Sequence, residues 1–98
     1  MKTIDELKKN LSEHKPEIKR IFKVKSIGIF GSYVRGKSNK RSDVDILVEF
    51  SEPIGMFVFL DLEEYLQSIF GLKVDLVSKK ALKPKIGEYI LNEVVYIW

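Results

Sequence analysis

The chain of 98 residues contains no cysteine and a single histidine, His14. The absence of cysteine excludes disulfide bonds and metal sites built from thiolates. One imidazole also argues against a histidine-based metal site, since such sites usually combine several ligands of this kind. Both absences narrow the kinds of metal centre that the chain could carry.

Long apolar runs are also missing. Although 45% of the residues are apolar, no run approaches the roughly 18–20 residues that a membrane-spanning helix needs. The first twenty residues are rich in charge, which is atypical of a secretory signal peptide. We therefore expect neither a membrane span nor a signal peptide, and we expect the protein to be cytoplasmic.

Neither sign of charge is in large excess. The 17 basic residues against 14 acidic ones leave a net charge of +3, which argues against a dedicated nucleic-acid-binding protein. The basic residues are unevenly placed, however, because Arg35, Lys37, Lys40 and Arg41 crowd one predicted loop. A length of 98 residues predicts a single domain over 1–98, without a second domain to bind an acceptor substrate.

A glycine-serine pair marks the first chemically informative position. The β-favouring run Ser26–Phe30 leads into Gly31 and Ser32, which predict a sharp turn into a helix through Arg35. A helix start presents unpaired N–H groups that favour phosphate oxygens, and glycine allows close approach. Ser32 adds a hydroxyl group, and Arg35 lies one turn further, where it could contact phosphate.

Two aspartates follow at the start of a predicted strand. Alternation places Val44, Ile46, Val48 and Phe50 on one face and Asp43 with Asp45 on the other. The two carboxylates repel each other, so the arrangement suits a divalent cation that supplies the opposite charge. Either one Mg²⁺ or a pair of them fits this spacing.

A third carboxylate lies in the short β-favouring run Leu72–Val77. Asp75 could be a metal ligand, a general base or both. An ordinary ion pair with a base such as Lys73 is the structural alternative for this residue.

The pattern resembles the minimal nucleotidyltransferases (MNT) of the DNA polymerase β-like superfamily. The resemblance rests on three segments and spans nearly the whole chain: Gly31–Gly36, Ser42–Asp45 and Val74–Val77. It implies the nucleotidyltransferase fold, a small α/β (α+β) domain with a mixed sheet of about four strands flanked by helices. It also implies that Asp43, Asp45 and Asp75 are catalytic and bind Mg²⁺, while Gly31 and Ser32 hold a nucleoside triphosphate.

Many members of that family are antitoxins encoded beside a HEPN-domain toxin, and some transfer AMP from ATP to a toxin tyrosine. The resemblance therefore implies a Mg²⁺-dependent protein adenylyltransferase that acts as the antitoxin of such a toxin. Two alternatives stay open. The protein could neutralise its toxin by binding alone, or it could be a nucleotidyltransferase that acts on nucleic acid.

The remaining elements follow from helix and turn signals. Thr3–Glu6 predicts a capping box, Pro16 interrupts or restarts the first helix, and Gly71 is expected to end a helix that follows the loop Ser51–Gly55. Pro84 suits the first turn of a last helix, with Ile86, Ile90 and Leu91 facing inward. Val94–Trp98 predicts a closing strand.

An apolar surplus raises the question of a partner. The run from Met56 to Leu60 holds more large apolar side chains than one helix face buries, and the chain ends on Tyr96, Ile97 and Trp98. Such a surface is typical of an interface, either between copies of this chain or with another protein. The alternative is that a small domain packs most of it into its own core.

Overall fold

The computed structural model describes residues 3–39 and 42–98. Five helices and four strands follow one another in those ranges, with a short 3-10 turn at Lys79–Ala81: α1 (Ile4–Glu13), α2 (Lys15–Phe22), β1 (Val24–Phe30), α3 (Ser32–Arg35), β2 (Val44–Phe50), α4 (Met56–Phe70), β3 (Val74–Ser78), α5 (Pro84–Glu93) and β4 (Val95–Tyr96). The predicted fold class, helices around a mixed sheet of four strands, is confirmed.

The sheet has the strand order β3-β2-β1-β4. Strand β1 runs antiparallel to both β2 and β4, whereas β2 and β3 are parallel and are joined through α4. The crossover makes the starting ends of β2 and β3 meet at one end of the sheet. Because β1 is antiparallel to β2, that same end also receives the carboxyl end of β1.

The first face of the sheet carries the main core. Of the side chains predicted to face inward from β2, Val44, Ile46 and Val48 are fully buried there beneath α1, α2 and α4, and Phe50 packs against the same core but is only partly buried. A register shift in β1 between Val24 and Ser26 leaves Val24 on this same buried face. The period-2 pattern of the sequence thus predicts the core face correctly.

The second face is covered much less completely. Helix α5 packs there through Ile90, which forms a small cluster with Phe30 and Leu47. The prediction that Ile86 and Leu91 face inward is wrong, because they are 61% and 43% exposed. The helix buries only a narrow stripe, since little of the chain lies beside it on this face.

A glycine in β1 determines how closely the end of α5 approaches the sheet. A Cβ atom built on Gly28 would lie 2.6 Å from Cγ2 of Val94 and 3.0 Å from the carbonyl oxygen of Val95. Real Cβ atoms essentially never come within 3.0 Å of another heavy atom, so a larger residue at position 28 would force the junction of α5 and β4 to shift away from β1. This contact holds the last residue of α5 near the carboxyl end of β1.

The outer edge of β3 is masked by α4. The N–H group of Val74 donates to Oε1 of Gln67 at 3.1 Å, and that of Leu76 donates to Oε2 of Glu63 at 3.4 Å. An unmasked edge would present these donors to another strand. The α4 side chains thus satisfy donors that the sheet leaves unpaired.

Several predicted helix ends are confirmed. Thr3 and Glu6 form the capping box of α1, Pro16 lies in the first turn of α2, and Pro84 opens α5. Gly71 ends α4 in the left-handed conformation. Among the helices of the described ranges, none combines the length and the apolar character that a membrane crossing requires.

Candidate functional site

Gly31 links the end of β1 to the start of α3. It adopts φ +80°, which residues with a side chain rarely adopt, and its carbonyl oxygen accepts hydrogen bonds from Val34 and Arg35. A Cβ atom at this position would collide with the carboxylate of Asp45. Glycine is therefore required at this position for two reasons: the positive φ of the turn and the close approach of the Asp45 carboxylate.

Helix α3 is a single turn of four residues, Ser32–Arg35. Tyr33 packs into the main core at 4% exposure and anchors this turn, while Ser32 stays partly exposed. A helix this short has a weak dipole, so its affinity for an anion must come mainly from individual donors. The predicted turn and helix lie where the sequence placed them, and the donors at hand are the Gly31 N–H group, the Ser32 hydroxyl and the Arg35 guanidinium.

The three predicted aspartates lie at the end of the sheet where β2 and β3 begin. Asp45 and Asp75 are register partners on these parallel strands, so their side chains stand side by side on the second face at the usual strand spacing of about 4.8 Å. Asp43 lies one residue before β2 begins. The structure thus brings together residues that are separated by thirty positions in the chain.

Asn39 and Ser42, which both precede Asp43, share a pair of hydrogen bonds. The Ser42 hydroxyl accepts from the N–H of Asn39 at 2.9 Å, and the N–H of Ser42 donates to the carbonyl of Asn39 at 3.0 Å. Lys40 and Arg41, two members of the predicted basic loop, lie outside the described residues. Lys37, a third member, is exposed.

Asp45 has the clearest electrostatic signature. Its pKa is raised from 3.8 to about 6, mainly by burial and also by the Asp75 and Asp43 carboxylates, with a smaller increase from Glu93, while Arg35 opposes the increase. Removing water from a carboxylate and surrounding it with like charges both favour its protonated form. The site therefore has uncompensated negative charge, which a cation would offset.

The fit to Mg²⁺ can be judged from the donors. Carboxylate oxygens are the ligands that Mg²⁺ prefers, and the raised pKa of Asp45 indicates that its charge lacks a full partner. Within residues 3–39 and 42–98, however, no three His, Cys, Asp or Glu side chains already form a metal-binding group. The donor chemistry fits the ion, and the three carboxylates would have to draw closer together to hold it.

Glu93, a residue that the sequence analysis did not consider, also belongs to this site. Its Oε2 accepts a hydrogen bond from the Gly31 N–H at 3.1 Å, and its Oε1 pairs with Nη1 of Arg35 at 2.6 Å. Its side chain is only 13% exposed. Sequence reasoning missed it because no local motif marks a glutamate at the end of α5, 62 positions away from the glycine that it contacts.

A sizeable apolar groove lies elsewhere in the described part of the chain. It encloses about 760 Å³ at the finishing ends of β2 and β3, opposite the aspartates, and is lined by side chains that include Phe50, Ile54, Met56, Phe59 and Lys79. Its neighbour Phe57 is 83% exposed and Met56 is 69% exposed. The predicted apolar surplus of the Met56–Leu60 segment is therefore largely on the surface.

The chain is similar to known proteins over nearly its whole length. The nucleotidyltransferase domain family matches residues 11–97. The chain is 50% identical over 97 residues to the protein adenylyltransferase MntA of Thermococcus cleftensis, and the match covers 99% of this chain and 98% of that protein.

Two solved structures resemble the fold. A toxin–antitoxin complex with AMP-PNP has a TM-score of 0.73 at 24% identity and covers 88% of this chain and 71% of the other. A Shewanella oneidensis complex of a tri-AMPylated HEPN toxin with an MNT antitoxin has a TM-score of 0.68 at 21% identity and covers 94% and 71% of the two chains. At these identities the likeness concerns the fold alone.

Proposed function

The chain belongs to the nucleotidyltransferase domain family, and we propose that it transfers AMP from ATP to a hydroxyl group of a partner HEPN-domain toxin. The observation that carries this proposal is the convergence of Gly31, Asp45 and Asp75 at one end of the sheet. The adenylyltransferase activity of a relative at 50% identity supports the choice of AMP and of a protein acceptor.

The reaction divides between three parts of the site. Donors from Gly31, Ser32 and Arg35 bind the triphosphate, and Asp43, Asp45 and Asp75 would hold Mg²⁺. When bound, Mg²⁺ supplies positive charge that offsets the charge of the phosphate oxygens. The acceptor oxygen forms a bond to the α-phosphorus, the bond to the β-phosphate oxygen breaks, and pyrophosphate leaves.

Asp75 suits the acceptance of the hydroxyl proton. It is exposed on the open second face, whereas Asp45 beside it is half-buried. An exposed carboxylate within the site is accessible to an acceptor brought by another molecule. The open face therefore leaves room for a hydroxyl group from a partner, and we propose a tyrosine of the toxin as its source.

A label-transfer assay tests this function. Protein incubated with ATP labelled at the α-phosphate, Mg²⁺ and the HEPN-domain partner is expected to label the partner, and the double variant Asp43→Asn, Asp45→Asn is expected to abolish the transfer. Asp61→Asn is the matched control, because Asp61 is exposed on α4, away from the site. Undiminished transfer by the double variant would contradict the proposal.

Neutralisation of the toxin by binding alone is the second candidate. The exposed apolar side chains Met56, Phe57, Ile86 and Tyr89 favour it, since such side chains are typical of interfaces. If the double variant still forms a stable complex with the partner and still protects cells from it, binding accounts for the protection. Loss of protection with the complex retained would favour the catalytic function.

A further inference from the structure

Glu93 occupies two of the donors that the proposed function assigns to the nucleotide. One carboxylate oxygen accepts a hydrogen bond from the Gly31 N–H group at 3.1 Å, and the other accepts one from the Arg35 guanidinium at 2.6 Å. The residue ends α5, so it approaches from the second face of the sheet. Its side chain thus contacts the turn through both carboxylate oxygens.

A carboxylate and a phosphate can accept hydrogen bonds from the same two donors, Gly31 N–H and Arg35. Each places two anionic oxygens where they accept charge-assisted hydrogen bonds from a guanidinium and a backbone N–H group. The Gly31 N–H group has only one hydrogen to donate. A phosphate oxygen that takes this hydrogen must therefore displace Glu93.

The charge of Glu93 also opposes a polyanion. Asp43, Asp45 and Asp75 already make this end of the sheet negative, and Glu93 acts on Asp45 as a further like charge. Arg35 is the one cation that pairs with Glu93 in the described part of the chain. An incoming triphosphate would meet a cation that is already neutralised.

We propose that Glu93 is an internal competitor for the phosphate groups of the nucleotide, closing the turn when it is empty and withdrawing when ATP binds. This inference rests on the proposed function, since it requires that ATP bind at Gly31 and Arg35. A glutamate side chain has three rotatable bonds, so withdrawal requires rotation of the side chain and no movement of α5.

Nucleotide binding by Glu93→Gln provides the test. Glutamine keeps the size of the side chain but removes the charge, so the variant competes less strongly for Arg35 and repels the triphosphate less. We expect the Kd for AMP-PNP with Mg²⁺, measured by isothermal titration calorimetry, to fall about 10-fold, the scale of one charge-assisted hydrogen bond. Glu93→Ala removes the competing group altogether and is expected to tighten binding at least as much.

Glu88→Gln is the matched control. It makes the same change of charge on the same helix, at an exposed position without a described contact, and its Kd is expected to stay within about twofold of the wild type. Thermal unfolding of each protein verifies that the variants fold. Structural damage would weaken binding, so tighter binding separates competition from a merely structural role.

The possible failures are distinguishable. Equal affinity in the wild type and both Glu93 variants would overturn the inference and leave the proposed function standing. Weaker binding by both variants would also overturn it, because Glu93 would then support the nucleotide. If none of the proteins binds AMP-PNP, the proposed function fails and the inference fails with it.

Discussion

At the scale of single residues, the site depends on one glycine more than on any single donor. Gly31 provides the positive φ of the turn and leaves room for the Asp45 carboxylate against its Cα. The sequence argument assigned its lack of a side chain to the approach of phosphate. The structure adds a second neighbour that needs the same space, a carboxylate of the protein itself.

Gly31→Ala is therefore expected to damage both stability and activity. The backbone of Gly31, at φ +80° and ψ −151°, is one that glycine almost alone adopts. It costs an alanine about 1–3 kcal/mol, and displacement of Asp45 adds to this, so the free energy of unfolding should fall by more than about 2 kcal/mol. Label transfer should be lost. Denaturant unfolding and the transfer assay measure the two effects.

Gly36 offers a matched control. Its φ is +71°, but a Cβ atom there would meet open space, so Gly36→Ala is expected to show the backbone cost of about 1–2 kcal/mol alone and to keep its activity. Equal effects of the two substitutions on both measurements would contradict the role given to the Asp45 contact.

Asp45, unlike Gly31, is a residue at which stability and function are expected to oppose each other. The folded protein raises its pKa from 3.8 to about 6, so the folded state binds a proton more tightly than the unfolded state does. Stability therefore falls as pH rises from about 4 to 6, and the whole cost is present above pH 6. The upper limit is about 3 kcal/mol, which solvent screening at this half-buried group reduces to about 1–2 kcal/mol.

Asp45→Asn should consequently be more stable than the wild type by about 1–2 kcal/mol at pH 8. The difference should vanish below pH 4, where both side chains are neutral. Urea unfolding at pH 8, 6 and 4 measures it. Asp61→Asn should lie within about 0.5 kcal/mol of the wild type throughout, and a gap for Asp45→Asn that did not depend on pH would refute the explanation.

At the scale of elements, local signals account for most of what the sequence predicted correctly. The capping box at Thr3, the helix end at Gly71 and the alternation of Val44, Ile46 and Val48 each depend on residues within one turn or one strand. Such signals act before the chain folds together, so they can be read directly from the order of residues. The resemblance to nucleotidyltransferases, which rests on spaced motifs, is confirmed as well.

The wrong and missing predictions share a different cause. The side chains of Ile86 and Leu91 were expected to face inward from α5. How much of a helix is buried depends on the residues packed opposite it, and on the second face only a small cluster around Ile90 is buried. Glu93 reaches a glycine 62 positions away. Neither the exposure of Ile86 and Leu91 nor the contact of Glu93 can be predicted from the residues next to them in the sequence.

The masked edge of β3 gives a prediction about one element. Gln67→Ala removes the acceptor that pairs with the Val74 N–H group, which should cost about 0.5–1.5 kcal/mol of stability. Hydrogen exchange of the Val74 amide should accelerate more than that of the amides shared between β2 and β3. Glu64→Ala, an exposed change on the same helix, serves as control, and unchanged Val74 exchange would refute the assignment.

At the scale of the whole molecule, the net charge conceals the chemistry. The chain is basic overall at +3, yet Asp43, Asp45, Asp75 and Glu93 lie near one end of the sheet. The net charge is a sum over the whole protein, so it does not show the local negative potential that determines which ions are attracted to this end of the sheet. The count of charges therefore argued against nucleic acid as a partner, but it could not reveal the cation site that we propose at the acidic end.

A divalent cation should accordingly stabilise the fold. Saturating Mg²⁺ is expected to raise the melting temperature of the wild type by about 4 °C or more, equivalent to about 1 kcal/mol, and a chelator should reverse the change. Asp45→Asn should show no such increase. Sodium chloride at the same ionic strength controls for screening, and an equal increase with either salt would argue against specific binding.

The glycine at position 28 influences the proposed nucleotide site without being part of it. Val94 rests on Gly28, and Val94 directly follows the glutamate that occupies the turn. The substitution Gly28→Ala would push Val94 and the end of α5 away from the sheet. This shift is expected to move Glu93 away from Gly31 and Arg35. A substitution at position 28 is thus expected to change the affinity of the proposed site for nucleotide without altering any of the groups proposed to contact the nucleotide.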